Sequence, residues 1–152
     1  MSEPQPTHEP TKKMRQALHS LHIQTHGKGL VEITQDVSGW LREQKIVAGL
    51  LTIFCRHTSA SLLIQENADS DVRTDLENFF EEIAPEDSER YVHRTEGLDD
   101  MPAHIRSALL QTQLSIPVAS GRMTLGTWQG IYVFENRRAP HRREIVLHLL
   151  GE

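Results

Sequence analysis

Ile46-Val47-Ala48-Gly49-Leu50-Leu51-Thr52-Ile53-Phe54-Cys55 is an almost unbroken apolar run, and it ends abruptly in Arg56-His57-Thr58-Ser59-Ala60-Ser61. The run is short and partly β-branched, so it reads as a strand buried on both faces. A rigid central strand that delivers a histidine and three hydroxyls to its rim is well suited to positioning chemistry.

Upstream, residues 1–13 are rich in Pro, Glu, Gln and Thr and are expected to form a mobile tail before a single domain over 14–152. Ala17, Leu21 and Ile23 alternate with polar neighbours in a half-buried strand. Gly27-Lys28-Gly29 turns the chain into a short strand at Leu30–Ile33. Thr34 is expected to cap a helix carrying Val37, Trp40 and Leu41 on one face. Downstream, Leu62–Ile64 predicts another strand. Val72, Leu76, Phe79, Phe80 and Ile83 recur at helical spacing, with Asp69 and Asp71 read as capping acids. Asp99, Asp100 and Pro102 open a third helix, whose expected apolar stripe is Ile105, Ala108 and Leu109. The remainder is β, over Leu114–Val118, Met123–Leu125, Ile131–Phe134 and Glu144–Leu150, with a turn at Ser120-Gly121. Strands dominate, with two or three helices and no repeating βαβ pattern, which predicts an α+β domain with a largely antiparallel sheet.

With 152 residues, 38% hydrophobic and 24% charged, the chain can bury a real core. No apolar stretch reaches membrane-spanning length, and the N-terminus lacks a signal-peptide layout, so no membrane partner and a cytoplasmic location are expected. Cys55 is the only cysteine, which excludes an intrachain disulfide and a cysteine-based zinc knot. The net charge is −5. Residues 66–100 hold thirteen acids against three arginines, and residues 101–152 hold six arginines against three acids. That asymmetry does not suggest nucleic-acid binding; it suits a metal ion on one side and a phosphate on the other. A solvated acidic helix face accounts for much of the acidic excess.

Nine histidines are present. His8 falls in the tail, and His19, His22 and His26 sit in or beside a β ribbon. His141 and His148 read as surface residues. His57, His93 and His104 each stand at a junction between an ordered element and a polar loop. Three imidazoles with an open position would hold a divalent ion able to polarise a phosphate or acidify a water. Separate hydrogen-bonding histidines are the plainer alternative. Glu66 and Asn67 follow the hydroxyl loop. Thr127, Trp128 and Gln129, framed by Gly126 and Gly130, offer a stacking surface and an amide for a flat heterocycle, or else a tight β connection with a core tryptophan. Arg142 and Arg143 alternate, so at most one faces a given pocket, where it would grip a phosphate. Glu135 is a partner for one of them. These clusters are read together as one pocket.

Taken in order, these motifs resemble the YjbQ family, also called the secondary thiamine-phosphate synthase family. The carrying residues are His57–Ser61, Glu66-Asn67, Glu96–Ile105, Gly126–Ile131 and Arg142-Arg143. The resemblance implies an α+β fold, a homotrimer and sites near subunit contacts. It implies a weak transferase activity that joins a pyrimidine diphosphate to a thiazole phosphate, giving thiamine phosphate and pyrophosphate. The family's motif histidines fall on His57, His93 and His104, which are read here as ligands of zinc or magnesium, with His57, His104 and Glu66 as the catalytic residues. Thr58, Ser59, Asn67, Thr127, Trp128, Gln129, Arg142 and Arg143 would contact a phosphorylated small molecule. A metal-dependent hydrolase and a trimeric phosphate-ligand-binding protein without turnover are the competing readings.

Overall fold

Eight strands and three helices form two antiparallel sheets in the computed structural model, which describes residues 11–152. The expected tail, with His8, lies largely outside the described residues. The larger sheet contains β1 (Arg15–Gln24), β8 (Arg142–Gly151), β3 (Gly49–Cys55), β5 (Gln113–Ala119) and β6 (Arg122–Met123), in that order. The smaller has β2 (Gly29–Glu32), β7 (Gln129–Glu135) and β4 (Ala60–Glu66). The helices are α1 (Thr34–Gln44), α2 (Ser70–Ile83) and α3 (Asp100–Leu109). The expected α+β class, helix number and antiparallel pairing all hold.

The core is contiguous. Leu51, Ile53, Ile116, Ile145, Leu147 and Leu149 from the larger sheet meet Leu62, Ile131 and Val133 from the smaller one, with Val37 and Leu41 of α1. Truncating such a buried side chain to alanine costs about 2–5 kcal/mol. Gly49 pairs with Gly151, and a Cβ on Gly49 would lie 2.3 Å from the carbonyl oxygen of Leu150. Glycine permits that approach of β3 to β8.

Four local expectations are corrected. β3 is buried on one face only: Leu51, Ile53 and Cys55 point inward, whereas Leu50 is 45% and Phe54 42% exposed. The outer face of the larger sheet also carries Leu18, Pro117 and Leu150, all exposed. Among the described residues nothing covers this face, so an apolar run alone did not distinguish it from a two-sided strand. Thr34 does not cap α1. Its hydroxyl donates to Glu32 Oε2 and accepts the amide of Ile131, which ties the helix start to β7.

The stripe expected on α3 is rotated. Pro102, Ala103 and Arg106 are buried, while Ala108 and Leu109 are exposed. Arg106 turns inward because its guanidinium closes the end of α2, donating to the carbonyls of Phe80 (3.2 Å) and Ala84 (2.9 Å). A cation there satisfies the carbonyls that a helix terminus leaves open. On α2 the cap expectation holds, with Asp69 accepting the Asp71 amide. Of its predicted apolar positions only Phe80 is buried, and Phe79 and Ile83 face outward.

Candidate functional site

The end of β7 organises the polar residues. There Glu135 faces the loop that follows β3, and Arg137 reaches across to the connection between α2 and α3. Asp100 opens α3, and His104 lies one turn along it, so the two share a helix face. His93 arrives from the connecting loop. Both imidazole Nε2 atoms contact Asp100 Oδ2, at 2.7 Å for His93 and 3.1 Å for His104. The rings meet edge-to-face with centroids 5.6 Å apart. One donor atom from each of the three residues falls within a 4.8 Å group. Two imidazole nitrogens and a carboxylate oxygen suit zinc or a similar divalent ion. By donor chemistry and spacing, these residues fit the expected metal.

The Asp100 side chain is only 3% exposed, whereas both histidines are about a third open to solvent. Burial alone would raise the Asp100 carboxyl. The His93 hydrogen bond, with Arg137 and His104 nearby, instead holds it below the ordinary carboxylate range. The other oxygen, Oδ1, accepts from Arg137 Nη1. Arg137 also donates from Nε to Asp99 Oδ2 (3.0 Å) and from Nη2 to the Glu96 carbonyl (2.9 Å).

His57 belongs to a different cluster, outside the His93, Asp100 and His104 group. Its Nε2 accepts the backbone amide of Glu144 at 2.8 Å, so the ring proton resides on Nδ1. Burial and the neighbouring Arg143 cation both push the imidazole below its usual range. His57 is therefore a neutral Nδ1–H donor whose Nε2 lone pair is already engaged. Beneath it, Arg143 pairs with Glu135 and donates to Ser59 Oγ at 3.0 Å. Thr25 donates its hydroxyl to the same carboxylate. The expected alternation holds, with Arg142 exposed and Arg143 buried, and Glu135 is the expected partner. Arg143 spends its fork within the fold, which leaves Arg142 and Thr58 exposed beside it.

The remaining candidates lie elsewhere. In the β4–β7 ladder Ala60 pairs with Glu135, and Glu66 pairs with Gln129 six residues further on. At about 3.4 Å per residue the two ends are separated by about 20 Å. Glu66, Asn67, Thr127, Trp128 and Gln129 therefore gather at the end opposite Ser59, joined by the Asn67 amide donating to the Trp128 carbonyl. One chain does not form the expected single pocket. Trp128 is 61% exposed and is no core residue. Gln129 Oε1 accepts the Gly126 amide and closes the loop on itself.

Sequence reasoning gave no site role to Arg137 and no ligand role to Asp100, which it read as a helix-start acid within the Asp99–His104 cluster. The i, i+4 spacing of Asp100 and His104 was the available signal for the latter. Arg137 carried none, because its partners lie about forty positions away in sequence.

Two antiparallel sheets with a two-histidine, one-carboxylate cluster at one strand end define a class of small α+β proteins with a candidate metal centre. Residues 19–152 match the family described as UPF0047 protein YjbQ-like, and the chain belongs to that family. It is 53% identical over 138 residues to a UPF0047 protein of Synechocystis, covering 91% of this chain and 94% of that one. With the YjbQ protein of Escherichia coli O157:H7 it shares 41% identity over 134 residues, 88% and 96% of the two chains. Among solved structures it resembles a protein of unknown function from Sulfolobus solfataricus P2. That likeness has a TM-score of 0.85 and 25% identity, over 92% of this chain and all of the other. A hypothetical protein of Aeropyrum pernix K1 gives 0.82 and 28%, over 90% and 99%.

Proposed function

We propose that this protein is a metal-dependent enzyme acting on a phosphorylated heterocyclic small molecule, with His93, Asp100 and His104 as the protein ligands. The observation that carries this reading is the convergence of three donor atoms from a loop and a helix on one partly open point. A divalent cation held there would supply Lewis acidity toward a phosphate oxygen or a bound water. The protein's own residues supply the rest. Thr58 and Arg142, exposed in the segments that carry His57 and Arg143, and the Nδ1–H of His57 are donors for a phosphate, and His57 stays neutral because burial and Arg143 disfavour its charged form.

The reaction suggested by the family resemblance joins a pyrimidine diphosphate to a thiazole phosphate with release of pyrophosphate. It requires Trp128, Gln129, Asn67 and Glu66 to reach the same substrate. A homotrimer would bring that end of one chain to the opposite end of another. The exposed outer face of the larger sheet, with Leu18, Leu50, Phe54 and Leu150, supports such an assembly, because single domains seldom leave large apolar patches uncovered. A metal-dependent hydrolase is the second reading. Three protein ligands leave a position for water, and within one chain Trp128 is far from them.

Tag-free protein incubated with zinc or magnesium, the pyrimidine diphosphate and the thiazole phosphate is expected to form thiamine phosphate slowly. No product above the enzyme-free background, with metal bound and the assembly intact, would reject the transferase. Release of inorganic phosphate from phosphorylated metabolites under the same conditions would select the hydrolase.

A further inference from the structure

We infer that Arg137 is the positioning residue of the metal centre, fixing Asp100 as a one-oxygen ligand and thereby setting which cations the site accepts. The inference rests on the metal reading above.

The geometry is specific. Asp100 has two carboxylate oxygens, and Arg137 Nη1 takes Oδ1. Only Oδ2 is left facing His93 and His104. The same guanidinium holds Asp99 through Nε and the Glu96 carbonyl through Nη2, so one planar fork fixes the segment leading into α3 at three points. Arg138 adds its backbone amide to Asp99 Oδ2 at 2.9 Å. Gly97 lets the segment pass this close. Its φ is +102°, and a Cβ there would lie 3.1 Å from Asp99 Oδ1 and 3.8 Å from Arg137 Nη2. The fork is itself anchored, since the Arg137 amide donates to Glu135 Oε1 at 3.0 Å. A lysine supplies one point charge and cannot reproduce three divergent bonds.

Two consequences follow for binding. A carboxylate held to one oxygen beside two imidazoles suits a small four-coordinate ion, whereas calcium takes six to eight oxygens and favours two-oxygen carboxylates. Removing a residue that orients a metal ligand lowers affinity about 10–100-fold. Simple electrostatics predicts the reverse, because deleting a cation beside a cation site should tighten binding. The sign of the change therefore separates positioning from charge.

The test is Co²⁺ titration of tag-free full-length protein, followed by visible absorption and calorimetry, for wild type, Arg137→Met, Arg137→Lys and, as control, His19→Ala. Wild type and the control should bind with a strong visible band characteristic of four-coordinate cobalt and should bind calcium poorly. Arg137→Met, folded by circular dichroism, should bind cobalt at least tenfold more weakly with a weaker, shifted band. Arg137→Lys should recover at most part of the loss. Should the methionine variant fail to fold, the lysine variant decides, with weaker cobalt binding and a shifted band expected and unchanged or tighter binding overturning the role. Unchanged or tighter cobalt binding with an unchanged spectrum in the folded variant overturns the role of Arg137 and leaves the metal centre standing. No cobalt binding by wild type overturns both.

Discussion

Glu135 and Arg143 form a buried two-pronged ion pair beneath the His57 loop, with Arg143 Nε 2.6 Å from Glu135 Oε2. Both side chains are almost wholly excluded from solvent. The pair links β7 to β8 across the two sheets, and Arg143 extends it to Ser59, the last residue before β4. Stability and site geometry are therefore joined at one contact.

Breaking the pair from one side leaves an unpaired buried charge, which costs about 3–5 kcal/mol. Glu135→Gln should lower the urea midpoint by a corresponding amount without altering the transition slope. A loss under about 1 kcal/mol would mean that Arg143 finds another partner or water.

Acid should act through the same carboxylate. Burial alone would raise the Glu135 carboxyl, but hydrogen bonds from Arg143, Thr25 and the Arg137 amide hold it below the ordinary range. Between that depressed value and the unfolded one, near 4.3, the unfolded chain binds more protons. The stabilisation is thus full above the unfolded value and is lost as pH falls through the folded one. Wild type should lose stability below about pH 4.3 more steeply than Glu135→Gln. Parallel acid profiles for the two would refute this assignment.

Much of this was legible in the sequence, and what escaped it has a common cause. Along Glu144–Leu150 the apolar Ile145, Leu147 and Leu149 alternate with outward residues and point inward, and the Arg142-Arg143 alternation put one arginine outside and one within. Local periodicity is short-range, and so were those successes. Arg106 escaped because a charged residue in an apolar stripe is buried only when a helix end waits opposite it. Within one chain the motifs do not share a pocket, because motif order along a chain does not tell which strand end each motif occupies. Only the Glu66–Gln129 and Ala60–Glu135 register does that.

Metal ligation separates the histidines. His93→Ala and His104→Ala should each abolish tight zinc binding, measured by calorimetry on tag-free protein. His57→Ala should retain it, because its Nε2 already accepts the Glu144 amide. If His57→Ala loses zinc as completely as His104→Ala does, His57 belongs to the centre, through a neighbouring subunit.

Assembly is tested on the outer sheet face. Leu50 and Phe54 alternate with the buried Leu51, Ile53 and Cys55, so a charge at either position points away from the core formed by the described residues. Leu50→Glu and Phe54→Glu should leave the monomer folded, with changes in stability near ±0.5 kcal/mol where the face is open to water. Where the face is covered by other copies, the same charge is buried without a partner and costs several kcal/mol per chain. Light scattering at micromolar concentration should then show a trimer for wild type and monomer for the variants. A wild-type monomer would remove the proposed meeting of Trp128 with the metal cluster and would favour the hydrolase. A trimer that survives both substitutions would move the interface to another face, with the exposed Phe79 and Ile83 of α2 the next to test.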